Sequence, residues 1–365
     1  MKIVLSTSMA GFGGTENASL RLGNLLKSRG HDVILASSDG PLMAEAKAAG
    51  IRWYPIDFYG GGKAGYLKTI FACAKMLRQE KPDLIHCQMA RIVPGCVAAV
   101  RLASPQTKVF YHARGLEAET YPKIAKLFGR LGVYTIANCK HERDKLIRHG
   151  FPAERITYTY NALPKADFVP EKTDKDYVML GTLSRLDRIR AVHIMLNIFR
   201  NLIDRGLNVR LTVAGDGEEM ANLRQQAQDL GIADKVTFLG AIRDLAAYFK
   251  EVDILVNTPD CIGDRCAGVG NNVLEAGLYH TPAVSYNMSG TDEMVISGKT
   301  GYCINMHDKK AFIEAVEILV ADKALRRQMG DALYEHVTML CSDDEIYRTT
   351  MEAYAMAVPS EKIKS

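Results

Sequence analysis

No apolar run approaches the roughly 18 residues a membrane-spanning helix requires, so the chain is not read as transmembrane. At the N-terminus, MKIVLSTSMAGFGG has a short apolar run that meets glycines and a charged helix at once, which predicts a first strand rather than a signal peptide. None of the eight cysteines (73, 87, 96, 139, 261, 266, 303 and 341) forms a CxxC pair, and no disulfide spacing repeats. That argues against a structural zinc site, and without an export signal the thiols read as reduced and cytosolic. Lysine plus arginine exceeds aspartate plus glutamate only by 46 − 42 = +4, too little for a nucleic-acid binder. Neither GxGxxG nor GxxxxGK[ST] occurs, so a dinucleotide fingerprint and a P-loop are unsupported. No His/Asp ligand cluster stands out, so no metal is expected. Internal repeats and low-complexity segments are also missing.

What remains is an ordinary soluble composition, 47% hydrophobic and 24% charged, over 365 residues, enough for two cores. Short β-branched runs alternate with helical patterns. The first half offers KIVLS (2–6), DVILAS (32–37), DLIHC (83–87), KVFYHA (108–113) and TIANC (135–139). The second offers 176–183, 208–215, 235–240, 253–259, 282–286 and 301–305. Helical stretches at 16–30 and 219–231 both end in glycine, a common helix stop. Such alternation predicts parallel, doubly wound α/β sheets, and about a dozen strands are too many for one. Two Rossmann-like domains are expected, with the break in the Pro- and charge-rich LPKADFVPEKTDKD (163–176). The expected limits are 1–165 and 166–342, with an apolar-striped helix over 343–365 crossing back to the first domain. Two such domains facing each other would leave a cleft between the carboxyl ends of their strands, where open α/β sheets bind ligands.

Five stretches lie at such ends. SMAGFGGTEN (8–17) follows the first strand, and Gly11, Gly13 and Gly14 permit close backbone approach to a ligand or simply make a βα turn. TLSRLDRIRA (182–191) carries Arg185 and Arg190, whose guanidinium forks match phosphate oxygens, while Arg188 reads as a solvated helix start. VAGDGEE (213–219) permits a tight turn against a ligand at Gly215 and Gly217, with Asp216 capping a helix or touching ligand. CAGVGNNVLEAG (266–277) runs from glycines into a helix start near Asn271, whose free N–H groups and dipole suit a diphosphate. Glu275, one turn further, suits two vicinal hydroxyls such as those of ribose, or is a surface glutamate. His112 in VFYHARG ends a strand of the first half and is either packing or a contact to a transferred group.

The order GFGGTE, FYHARG, YNALP, GTLSRL, VAGDGEEMANL, KVTFLG and AGVGNNVLEAGLYHTPAV resembles the GT4 family of retaining glycosyltransferases, with the GT-B fold. The resemblance covers nearly the whole chain and is strongest over 178–305. It implies metal-independent sugar transfer from a nucleotide-sugar, with no cofactor. It also implies that Gly13 and Gly14 approach the donor phosphates, that His112 sits by the donor sugar, and that Arg185 meets the diphosphate. Gly270, Asn271 and Asn272 would offer N–H groups, and Glu275 matches the second glutamate of the E-x7-E motif. Two positions depart from the pattern. Arg190 stands where the family usually has lysine, and Ala267 stands where the motif has its first glutamate, with Asp260 and Asp264 nearby. The implied activity is transfer from a nucleotide-sugar, UDP-linked by preference, to a glycan or lipid-linked acceptor in bacterial cell-surface synthesis. The protein is expected in the cytoplasm, with the basic and apolar stretch 121–150 suiting an anionic membrane surface or an ordinary solvated face. Ala267 leaves open a catalytically impaired nucleotide-sugar binding subunit. A nucleotide-sugar epimerase shares the fold but not this motif order.

Overall fold

The structure is a computed structural model that describes residues 1–9, 14–40, 43–58, 61–115, 118–164, 168–260 and 270–363. The chain divides into two compact units, residues 1–162 with 341–365, and residues 163–340.

The first unit holds a seven-stranded sheet: β1 Lys2–Met9, β2 Asp32–Ser38, β3 Arg52–Pro55, β4 Leu84–Cys87, β5 Lys108–Ala113, β6 Tyr134–Ala137 and β7 Ile156–Tyr158. Its order is β3-β2-β1-β4-β5-β6-β7, and every pairing is parallel. The central strands are buried along almost their whole length, as a sheet covered on both faces must be. Successive residues of β5 show the two faces. Tyr111 meets Phe128 edge-on at 5.2 Å, whereas Phe110 meets Tyr354 at 5.2 Å on the opposite side.

Tyr354 belongs to the helix Asp343–Ala355, which is capped by Ser342 and opens on Asp343, Asp344 and Glu345, a run that complements the helix dipole. This helix is fastened to the first unit along its length. Arg29 pairs with Asp344, His31 Nε2 lies 2.9 Å from the Tyr347 hydroxyl, and Thr159 and Thr349 share a 2.7 Å hydrogen bond.

The second unit holds a six-stranded sheet: β8 Val178–Leu183, β9 Val209–Ala214, β10 Val236–Gly240, β11 Ile254–Asn257, β12 Ala283–Tyr286 and β13 Gly301–Ile304. The order is β10-β9-β8-β11-β12-β13, again all parallel. Its core packs Leu180, Leu211, Val213, Ile254 and Val256 against the helices Val192–Asp204 and Lys309–Ala321. The segment after residue 163 is tied to this unit by the Lys172 ammonium, which donates to the carbonyls of Phe249 and Val252 and to the Thr281 hydroxyl.

Eleven strands lie where the alternation predicts them. The two additional strands, β3 and β7, are both edge strands of three or four residues. In each sheet the winding reverses once, between β1 and β4 and between β8 and β11, the switch points at which such folds bind ligands.

Candidate functional site

In the second unit a pocket opens at the carboxyl ends of β8, β11 and β12. Its lining includes Ser184, Arg190, Asn257, Gly270, Asn272 and Ser285. The helix Asn271–Leu278 starts at this pocket with Gly270 as its N-cap, and no side chain caps it. Asn272 fixes the helix to the sheet, because its Nδ2 donates to the Leu183 carbonyl at 2.8 Å and to Asn257 Oδ1 at 2.9 Å. A β-carbon on Gly270 would lie 2.3 Å from Asn272 Oδ1, so only glycine leaves that amide in place.

The two candidate arginines differ. Arg185 is 71% exposed and pairs with Asp187 at 2.8 Å. Arg190 lines the pocket, and only its backbone N–H reaches Asp187, at 2.9 Å. Burial pulls the Arg190 guanidinium below the ordinary arginine value; Asp187 opposes that and Arg185 adds to it. Among the described residues no carboxylate lies within ion-pairing distance of the Arg190 side chain, so a partly desolvated cation faces the helix start. Such a cation gains more from an anion than an exposed, already paired one. Glu275 is buried in the second turn of the helix and has a partner, as does Asn271.

Gly215 lies outside this pocket. Its φ of 134° and its closeness to the Ser184 carbonyl, 1.7 Å from a built β-carbon, serve the junction of two loops. Ser184 and Leu186 donate backbone N–H groups to the Ala214 and Asp216 carbonyls at 3.0 Å, so the loop after β9 is zipped to the arginine-bearing loop after β8. Asp260 approaches His307 at 3.4 Å. Ala267, Asp264 and Gly13 lie outside the described residues. Gly14 begins the helix Gly14–Ser28 and is exposed.

His112 belongs to the first unit. Its Nδ1 lies 3.2 Å from His86 Nε2, and His86 Nδ1 lies 2.9 Å from the Tyr354 hydroxyl. His112 Nε2 is buried without a partner. The three groups form one buried chain, in which each imidazole donates from one ring nitrogen and accepts at the other when neutral. Burial lowers His86 to about 3, and burial also holds His112 well below the usual histidine value, with the Arg114 charge acting in the same sense on both.

The sign for stability follows. The unfolded chain binds these protons near pH 6.5 and the folded chain does not, so stability is present above 6.5 and falls as the pH drops toward 3. Each histidine contributes a slope of about 1.4 kcal/mol per pH unit inside that window. Urea unfolding of the parent and of His86→Leu between about pH 7.5 and about pH 5 checks this, and the variant's curve should be flatter. Equal slopes for the two proteins would overturn the neutral-pair assignment.

Several polar side chains at these strand ends escaped the motif reading: Asn257, Ser184, Gln88, Asn138 and Arg114. Each stands at or just after the end of an apolar strand, and that position is the signal that could have found them.

Comparison with known proteins places the two halves in matching families. Residues 165–336 match the model for glycosyl transferases group 1, and residues 12–165 match the model for glycosyltransferase family 4. The lipopolysaccharide core biosynthesis glycosyltransferase LpsE of Rhizobium meliloti (strain 1021) is 28% identical over 163 residues, 45% of this chain and 45% of that protein. The capsular polysaccharide biosynthesis glycosyltransferase CapM of Staphylococcus aureus is 25% identical over 289 residues, 72% of this chain and 74% of CapM. Among solved structures, Anabaena Alr3699/HepE in complex with UDP-glucose superposes with a TM-score of 0.82 at 18% identity, covering 97% of this chain and 99% of that one.

Proposed function

Because this chain belongs to glycosyltransferase family 4 and has the GT-B fold, we propose that it moves a hexose-type sugar from a nucleoside diphosphate sugar to an acceptor hydroxyl with retention. The observation that carries the reading is Arg190, a partly desolvated guanidinium with no carboxylate partner among the described residues, beside an uncapped helix start at the β8/β11 switch point. There it would neutralise a departing diphosphate, which is leaving-group stabilisation rather than acid–base catalysis. UDP is the favoured nucleotide because HepE was solved with UDP-glucose. Gly270 and Asn272 would hold sugar and phosphate, Glu275 the ribose, Gly13 and Gly14 the donor phosphates, and His112 the donor sugar. No side-chain nucleophile and no metal are invoked. LpsE and CapM favour a bacterial cell-surface glycan or glycolipid as acceptor.

In calorimetry, Arg190→Ala should weaken UDP by about 1.5–3 kcal/mol, the range for hydrogen bonds to charged groups, and leave uridine unchanged. Arg185→Ala should cost less than about 1 kcal/mol, because Arg185 is exposed and already paired with Asp187. If Arg185 proves the costlier substitution, the diphosphate is not seated on Arg190. EDTA should leave UDP affinity unchanged, and its loss would refute the metal-free assignment.

Ala267 favours one second reading, a nucleotide-sugar binding subunit with impaired transfer. Mass analysis of products from a panel of donors, for the parent and for Ala267→Glu, decides between them. Under the transferase reading the added carboxylate raises turnover on the order of tenfold, the factor given by about 1.4 kcal/mol of transition-state stabilisation, and leaves UDP affinity alone. UDP binding with no product from either protein would leave the binding subunit standing.

No described helix is long and apolar enough to cross a membrane. Peripheral attachment on the cytoplasmic face is supported by exposed Lys123, Lys126, Leu127 and Arg130 on the helix Tyr121–Leu131. On the helix Gly62–Glu80, Leu67 and Phe71 stand exposed between Lys63 and Lys75. Such faces bind anionic lipid by apolar insertion and charge together. The protein should float with anionic vesicles at low salt and detach at high salt; sedimentation at low salt would exclude this attachment.

A further inference from the structure

We propose that the carboxyl edge of the first sheet binds an anionic group of the acceptor, a phosphate or a carboxylate, through Arg114 and Gln88; this rests on the transferase reading above. Along the sheet order β1-β4-β5-β6-β7, polar side chains stand near or just beyond the carboxyl ends of the strands: Thr7, Gln88, Arg114, Asn138 and Asn161. The row straddles the β1/β4 switch point of this unit.

The hydrogen bonds within the row are incomplete on the donor side. Arg114 Nη1 donates to Asn161 Oδ1 at 2.9 Å and Nη2 donates to Gln88 Oε1 at 3.0 Å, while its Nε is buried with no partner. Gln88 is 2% exposed, and its Nε2 has no acceptor. Buried donors are almost always paired in native structures, so two neighbouring ones need an explanation.

Charge narrows the ligand. Among the described residues the Arg114 guanidinium bonds to neutral amide oxygens, and burial lowers its pKa to about 10. Glu16 acts on it through space without a hydrogen bond. A water molecule could accept from the free N–H groups but would bring no hydrogen-bonded counter-charge to the guanidinium. An anion does both, and guanidinium with amide donors is a common recognition set for phosphate and carboxylate oxygens. The diphosphate of the donor is assigned to Arg190, in the other unit.

The test titrates the full-length protein with inorganic phosphate and, separately, with malonate, by calorimetry and thermal shift, with and without saturating UDP. The parent, Arg114→Gln and Arg114→Lys are compared. The expected result is that one of the two anions binds the parent, and the tighter identifies the class. Arg114→Gln should weaken that anion tenfold or more, Arg114→Lys should retain part of the affinity, and UDP affinity should change less than twofold. The melting temperature of Arg114→Gln without ligand should match or exceed that of the parent, because a buried cation with no hydrogen-bonded counter-ion has been removed. A purely structural arginine would instead lower it.

If neither anion binds the parent while UDP does, the inference is wrong and the transferase reading stands. Equal anion affinity in parent and Arg114→Gln likewise refutes it. If an anion binds through Arg114 and UDP does not bind at all, the anion site stands and the transferase reading falls.

Discussion

Gly215→Ala is expected to destabilise the second unit by at least about 3 kcal/mol and to abolish nucleotide binding with it. At φ 134° an alanine is strained, and its β-carbon would lie 1.7 Å from the Ser184 carbonyl oxygen. That oxygen is backbone in a loop held on both sides by hydrogen bonds from Ser184 and Leu186, so no side-chain rotation relieves the clash. Relief requires breaking the zip between the loops after β8 and β9, and the first of these carries Arg190. For a unit of this size the loss corresponds to a drop of roughly 6–12 °C in melting temperature. Differential scanning calorimetry with and without UDP measures both effects. A variant that melts within about 2 °C of the parent and binds UDP normally would show that the loops are not locked together.

Tyr354→Ala is expected to cost the first unit about 3–5 kcal/mol, the range for deleting a large buried aromatic. Tyr354 is fully buried, packs edge-on against Phe110 and His86, and supplies the hydroxyl that begins the chain to His112. Tyr354→Phe keeps the packing and removes only the hydroxyl. It should cost about 1–3 kcal/mol by leaving His86 Nδ1 unsatisfied. If Tyr354→Ala costs less than about 1 kcal/mol, the helix Asp343–Ala355 is an ornament rather than part of the first core.

Most of the fold was legible because buried parallel strands announce themselves. VFYHA, DILVN and KIVLS are apolar runs with no competing helical period, and each became a strand. RWYP and ITY did not announce themselves. As edge strands they are covered on one side only, so the selection for apolar residues that marks a central strand is weak there. The site was legible by motif and illegible by environment. TLSRLDRIRA shows two arginines of equal promise, and only packing separates the one paired in solvent from the one lining a pocket. HARG likewise draws attention to its histidine, because histidine at a strand end has a familiar chemistry. Nothing in the letters says that Arg114 would be buried against two amides, one of them 47 residues further along the chain. Glycines were read as yielding to ligand, whereas Gly215 yields to the neighbouring loop.

The helix Asp343–Ala355 also bears on how the protein is made. Residues 1–162 leave the ribosome with all seven strands of the first sheet, yet the unit they belong to also needs residues 341–365. Until residues 341–365 are synthesised, Phe110 and His86 lack the tyrosine that packs against them, and one face of the sheet stays partly open. The second unit, by contrast, is a single continuous stretch and is complete once residue 340 has emerged. The chain is thus positioned to finish its domains in the reverse of the order in which it starts them, and the longest wait falls on the unit that carries His112.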